Sequence, residues 1–274
     1  MSTRRTRTTD AVNGVNAANG ASVVARSTAA ASYWQERIAW YPDGCFGPYR
    51  PSKVGYSRRE LAADGAVHVL GVFLGFLGVV ALCLRLSVSQ VSERVVLSLV
   101  VYGASLLAML LCSAIFNMSL GAWSRRIVLL QLADHGGILL LIAGTYTPFM
   151  TIACCPQTLA FVWALALVSF FTKASRSRLD VELVHIPIFL LMGWAVISVW
   201  DEFSGALSPW GKRTCLLGGV LYTVGLVPWG VNKIEGHNAL WHLFVLAGSG
   251  CFFVVCYDEV GLPPVLGTRN LTCP

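Results

Sequence analysis

From residue 66 onward the chain alternates long apolar runs with short polar connections, the runs falling near 66–84, 95–118, 127–145, 158–172, 183–200, 214–231 and 239–257. Most approach the ~20 residues that a helix needs to cross a hydrocarbon core. The fourth is short and can borrow from the stretch Phe149 to Cys155. Lipid offers no partner to a backbone N–H or C=O, so a spanning segment is a helix or part of a closed barrel, and unbroken runs of this length are helices. The pattern predicts an all-α, multi-pass membrane protein with seven transmembrane helices. Its membrane domain occupies residues 64–258, and a short tail follows at 259–274.

Composition agrees. Hydrophobic residues make up 55% of the chain and charged residues 12%, and the mean hydropathy of +0.65 excludes an ordinary soluble domain. Residues 1–32 are rich in Arg, Thr, Ser, Ala, Asn and Gly and carry one acid, Asp10. Such a stretch cannot bury enough apolar surface to offset ordering and reads as a disordered basic tail. It suits a solvated cytosolic tail or an organellar transit peptide, and it lacks the apolar core of a secretory signal. Residues 33–63 mix Tyr33, Trp34, Trp40, Tyr41 and Tyr49 with Arg37, Arg50 and Lys53. That mixture suits a juxtamembrane segment lying in the lipid headgroup zone.

Charge then sets the orientation. With seven alternating spans, fifteen of the twenty Lys and Arg residues fall on the side of the amino terminus, and only Arg85, Arg94, Lys212, Arg213 and Arg269 fall on the other. The excess of basic residues in cytosolic loops places the amino terminus in the cytosol and the carboxyl terminus outside. A plasma or endomembrane is the expected location, or an organellar one if the basic tail is a transit peptide. The net charge of +6 does not imply a nucleic-acid partner, because the basic residues form no dense patch or reading motif. Of the nine cysteines, Cys83, Cys112, Cys215, Cys251 and Cys256 lie in or beside apolar runs without a CxxC pair and read as inert thiols. Cys154, Cys155 and Cys273 share the outer side, where a disulfide can form among them.

The stretch Ser113 to Pro148 holds the chemistry. Its second apolar run carries Asp134 and His135, and ionisable groups inside a span are costly and usually functional. On the seven-span topology Asp134 and His135, His68, the pair Ser113 and Asn117, and the trio His237, Asn238 and His242 all lie towards the cytosolic leaflet. Ser113 and Asn117 are four residues apart, as are Asn238 and His242, so each pair shares a helix face. Such faces can converge on one ion or water, or they can act as interhelical hydrogen-bond glue. His185 opens the fifth span and fits no cluster.

Several motifs resemble those of the hemolysin III family, within the wider progestin and adipoQ receptor group of seven-helix membrane proteins. Tyr56, Ser57, Glu60, His68 and Gly71 match a first block of the form YSxxEExxNxxTHxxG. Asp134 and His135, followed by IAGTYTPF at 142–149, resemble the most specific block, and LWHLFVLAGSGC from Leu240 to Cys251 resembles the last-helix block. The resemblance implies a zinc ion near the cytosolic leaflet, held by one His of an S-x3-H motif on helix two and two of an H-x3-H motif on helix seven, with an Asp on helix three contacting its water. Carried onto this chain, Ser113 and Asp134 are the implied catalytic residues and His242 is the retained ligand. Asn117 and Asn238 stand where the other two ligands would be, and Asp64 replaces the usual Asn of the first block. Asn is a poor zinc ligand, so zinc is weak or lost unless His237, His68 or His135 substitutes. The expected function is a receptor-like or lipid-binding membrane protein with a degraded metal site, its ligand a membrane lipid or a lipid-like hormone. The alternative is a zinc-dependent hydrolase of lipid amides such as ceramides. A pore-forming cytolysin is disfavoured, since no charged face lines several helices.

Overall fold

The computed structural model describes residues 57–119, 125–175, 182–231 and 234–261. The basic tail 1–32, the juxtamembrane segment up to residue 56 and the final residues from 262 lie outside the described residues. The first helix, α1 (Arg58–Val88), starts ahead of the apolar run because Ser57 and Glu60 cap it. Ser57 Oγ accepts the Glu60 N–H at 3.2 Å and the Glu60 carboxylate accepts the Ser57 N–H at 2.7 Å, which satisfies two of the donors a helix start leaves over. Then come α2 (Glu93–Met118), α3 (Arg125–Ile152) and α4 (Pro156–Ala174). Phe149–Ile152 complete α3 beyond Pro148, so they are not available to lengthen the fourth span, which starts on Pro156. Proline fits there because the first helical N–H has no partner in any case.

The fifth span is broken. It consists of α5 (Glu182–Gly193), a 3-10 turn (Ala195–Val199) and α6 (Trp200–Gly205). An interruption at membrane depth needs a donor and an acceptor for the freed backbone groups, and one hydroxyl supplies both. Tyr146 Oη donates to the Gly193 carbonyl and accepts the Val196 N–H, each at 2.9 Å. The chain closes with α7 (Pro209–Gly230), α8 (His237–Val255) and a π turn (Cys256–Val260). Each predicted apolar run therefore corresponds to one helical segment, the fifth a broken one, and no strand occurs among the described residues. Six of these segments are long and apolar enough to cross a membrane. The remaining one, α7, has the length at 22 residues, but Lys212, Arg213 and its glycines dilute it.

Packing follows the chain. Each of α1 to α4 lies against the next, α8 lies against both α1 and α7, and α3 also meets α5 and the C-terminal turn. The closest seams are α2 with α3 and α7 with α8. At the first, a Cβ on Gly137 would stand 3.0 Å from Met109 Cα; at the second, a Cβ on Gly248 would stand 3.1 Å from the Gly218 carbonyl oxygen. Small residues let membrane helices approach this closely.

Two polar clasps define the ends of the bundle. At the end holding the start of α1, Glu60 accepts the Gly236 N–H at 3.0 Å and joins α1 to the entry of α8. At the opposite end Glu259 accepts the Ser208 N–H at 2.9 Å and also engages the Ser208 hydroxyl, so the C-terminal turn is fastened to the start of α7.

The α2–α3 seam gives a direct test. Gly137→Val pushes a branched side chain against backbone, and overpacking of this kind costs about 1–3 kcal/mol. A lower melting temperature of the purified protein in detergent is expected for Gly137→Val, while Gly205→Ala, where nothing lies within 4 Å of the added carbon, leaves it near wild type.

Candidate metal centre

The polar residues of α1, α2 and α8 meet towards the end where α1 begins. Asp64 and His68 are one helical turn apart on α1, and both are buried, at 2% and 7% exposure. His242 reaches them from α8. Its Nδ1 lies 2.6 Å from Asp64 Oδ1, His68 Nε2 lies 3.7 Å from the same oxygen, and the two imidazole centroids are 4.3 Å apart. The second carboxylate oxygen accepts from Asn238 Nδ2 at 3.3 Å. A carboxylate this deep is tolerated because donors converge on it.

The Asn residues at the implied ligand positions extend the network. Asn238 Nδ2 also donates to Asn117 Oδ1 at 3.4 Å, and Asn117 Nδ2 donates to the Ser113 carbonyl at 3.0 Å and to Ser113 Oγ at 3.3 Å. Amides replace imidazoles here, and hydrogen bonds occupy the positions that would otherwise ligate.

Asp64, His68 and His242 each offer a ligand atom, and these atoms all lie within 4.8 Å of one another. Two imidazoles with one carboxylate are the donor set of many open zinc sites. The 2.6 Å separation of Asp64 and His242 is a hydrogen-bond distance, shorter than the ~3.3 Å between ligands around a tetrahedral zinc. The three residues form a possible metal-binding triad in which Asp64 and His242 are at present hydrogen-bonded to each other. Of the three substitutes open to the sequence, His68 is the one brought beside His242. His237 lies near Glu60 and does not join the triad.

His135 turns away. Adjacent helical residues point about 100° apart, so Asp134 and His135 serve different faces of α3. Asp134 lines a cavity of about 40 Å³ together with Ser113, His68 and His242. His135 instead packs edge-on against His185, with centroids 4.5 Å apart, and against Phe189 at 5.1 Å. The fully buried His185 has its Nδ1 3.0 Å from Ser169 Oγ. His185 thus belongs to a second polar cluster between α3, α4 and α5, which only folding brings together.

Asp64 is the candidate ligand that spacing alone passed over. Its signal was present: an acid four residues before a His, inside an apolar helix. The small cavity shares Met109, Ile138, Trp241 and Val245 with a larger one of about 160 Å³. That larger cavity lies between α3, the broken fifth span, α7 and α8, and its wall is almost wholly apolar. Trp194 crosses from the fifth span to α7, its Nε1 donating to Thr223 Oγ1 at 3.1 Å.

These features define an all-α, multi-pass membrane protein with an Asp-His-His cluster in its bundle. Residues 59–253 match the family described as Haemolysin-III related. The chain is 33% identical to the Hemolysin-3 homolog of Bacillus subtilis (strain 168) over 214 residues, 76% of this chain and 98% of that relative. It is 31% identical to Hemolysin-3 of Bacillus cereus over 199 residues, 71% of this chain and 89% of that relative. The chain belongs to the haemolysin III-related family.

The hydrogen-bonded core of the centre is testable by a double-mutant cycle. Asp64→Ala and His242→Ala share a partner and should be non-additive by about 1–3 kcal/mol in unfolding free energy. Asp64→Ala with His185→Ala, which belong to separate networks, should be additive.

Proposed function

We propose that this protein binds a membrane lipid with its acyl chain in the larger cavity and its polar end at the Asp64–His68–His242 centre, where those three side chains hold a zinc ion. The observation that carries the reading is that the two cavities are adjacent, with Met109, Ile138, Trp241 and Val245 in the walls of both. An apolar cavity beside a smaller one lined by carboxylate, imidazole and hydroxyl groups matches the two-part chemistry of a lipid, and ligand sites commonly combine an apolar wall with a few convergent polar groups. A receptor-like role requires only this binding, with lipid occupancy altering the packing of the fifth span against α7.

A second reading, hydrolysis of a lipid amide, is favoured by one further observation: Ser113 and Asp134 line the same small cavity as His68 and His242. Zinc held there would supply Lewis acidity. Asp134 is placed to accept a proton and Ser113 Oγ to orient the polar end of the ligand. The surrounding apolar wall limits access of bulk water.

Metal analysis of the purified protein tests the centre. About one zinc per chain is expected, falling to background in Asp64→Ala, His68→Ala and His242→Ala and remaining in His135→Ala. A chelator should lower the melting temperature, because an ion that binds only the folded state stabilises it by mass action. Wild-type protein free of zinc after purification in zinc-containing medium would exclude the metal.

Lipid binding is tested separately. Gly219→Leu places a side chain towards Trp194 and into the larger cavity, and should weaken retention of a fluorescent fatty-acyl lipid about tenfold, or ~1.4 kcal/mol. Release of fatty acid from a lipid amide by wild type, lost in Asp134→Asn, would place the hydrolase reading first.

A further inference from the structure

Helices α1 and α8 run side by side in the same direction, and the contacts along their seam follow chain order on both. Glu60 meets Gly236 and Asp64 meets Asn238 and His242, after which Gly71 faces Leu246 and Gly78 faces Phe253. Polar contacts thus occupy the first turns and apolar packing the rest. Hydrogen bonds are directional, whereas apolar side chains pack against lipid tails as readily as against each other. The polar end of the seam therefore fixes the rotation and register on which the Asp64–His68–His242 triad depends.

The polar contacts differ in what they leave free. Asp64 is hydrogen-bonded to both Asn238 and His242, and it is itself a member of the triad. Its bond to His242 joins two groups that would each turn to a metal ion, so that bond cannot hold the helices while an ion binds. The Glu60–Gly236 bond uses no triad atom. Glu60 stands one helical turn before Asp64, on the same face of α1. Gly236 is the residue on which α8 starts. Its backbone is left-handed, with φ at +74°, and it has no side chain with which to cap the helix. Glu60 supplies the missing partner from the neighbouring helix. Its Oε2 accepts the Ser57 N–H at 2.7 Å and its Oε1 accepts the Gly236 N–H at 3.0 Å. One carboxylate thus serves the starts of two helices, where unpaired N–H groups carry partial positive charge.

We infer that Glu60 is a positioning residue for the triad: by capping α1 and α8 together it holds His242 against Asp64 and His68, so that the three ligand atoms stay within reach of one ion when the Asp64–His242 hydrogen bond gives way to coordination. The inference rests on the reading of the triad as a metal centre and adds that its geometry is set by a carboxylate that is not itself a ligand. It also separates the two clasps of the bundle. Glu259 fastens the C-terminal turn to α7 at the opposite end, and the triad does not depend on it.

The test compares full-length wild type, Glu60→Ala, Glu60→Gln and Glu259→Ala, purified in detergent without metal, and records the melting temperature of each. Co2+ is titrated as a zinc substitute and followed by its visible absorption. Glu60→Ala should bind it about tenfold more weakly, the lower end of what partners outside the ligand set contribute to metal sites. Glu60→Gln, which keeps the reach and one acceptor oxygen, should lose less, and Glu259→Ala should bind like wild type even where its melting temperature falls. In the metal-free proteins, modification of His242 by diethyl pyrocarbonate, mapped by mass spectrometry, should be faster in Glu60→Ala and unchanged in Glu259→Ala. Wild-type affinity in Glu60→Ala overturns the inference. So does an equal loss in Glu259→Ala, which would make the effect one of general stability, and so does weaker Co2+ binding without faster modification of His242. If wild type takes up neither Co2+ nor zinc, the metal reading fails, and the modification of His242 alone decides whether Glu60 positions it. If Glu60→Ala does not accumulate, Glu60→Gln is judged by the same two measurements.

Discussion

A carboxyl group buried inside a helical bundle needs hydrogen-bond partners arranged around it, and Asp64 imposes that requirement on the haemolysin III-related fold described here. It sits at 2% exposure on α1, within hydrogen-bond distance of His242 and Asn238 on α8. Through Asn238 it is linked to Asn117 on α2. The hydrogen bonds of one carboxyl group thus link three helices. The same convergence supplies two imidazoles and a carboxylate, so the constraint that orders the bundle is also what makes it a fit for a metal ion.

The third helix divides the polar interior. One residue step separates Asp134, which faces the small cavity, from His135, which joins His185 and Ser169 on the other side. Two polar clusters can therefore share a single helix without mixing, each satisfied by its own neighbours. The tight α2–α3 seam, where Gly137 meets the Met109 backbone, keeps α3 at a fixed distance from α2 and so sets the width of the small cavity.

The larger cavity depends on a break that would be unfavourable in an unsupported helix. The fifth span gives up regular helix near Gly193, and the Tyr146 hydroxyl satisfies both a freed carbonyl and a freed N–H. Residues on either side of the break, Leu190 and Val196 among them, line the apolar space. Trp194 bridges to Thr223 across it. An apolar cavity thus exists where the bundle is not closed by direct helix packing, since α5 and α7 are not close neighbours.

By itself the sequence determined the helices, because runs of apolar residues near the length of a bilayer leave the backbone no alternative. It also determined the family motifs and the polar residues available for chemistry, among them Ser113, Asp134, His68 and His242. It could not determine which imidazole stands beside His242. His68, His135 and His237 were equivalent candidates until helix rotation and packing placed one next to Asp64, turned the second towards His185 and left the third near Glu60. Nor could it reveal the break in the fifth span, since Gly193 and Trp194 interrupt no hydrophobic pattern and the partner that stabilises the break, Tyr146, is distant in the chain. Periodicity records which residues are buried. Which buried residues face one another depends on the rotation and crossing of whole helices, and that is a property of the tertiary structure alone.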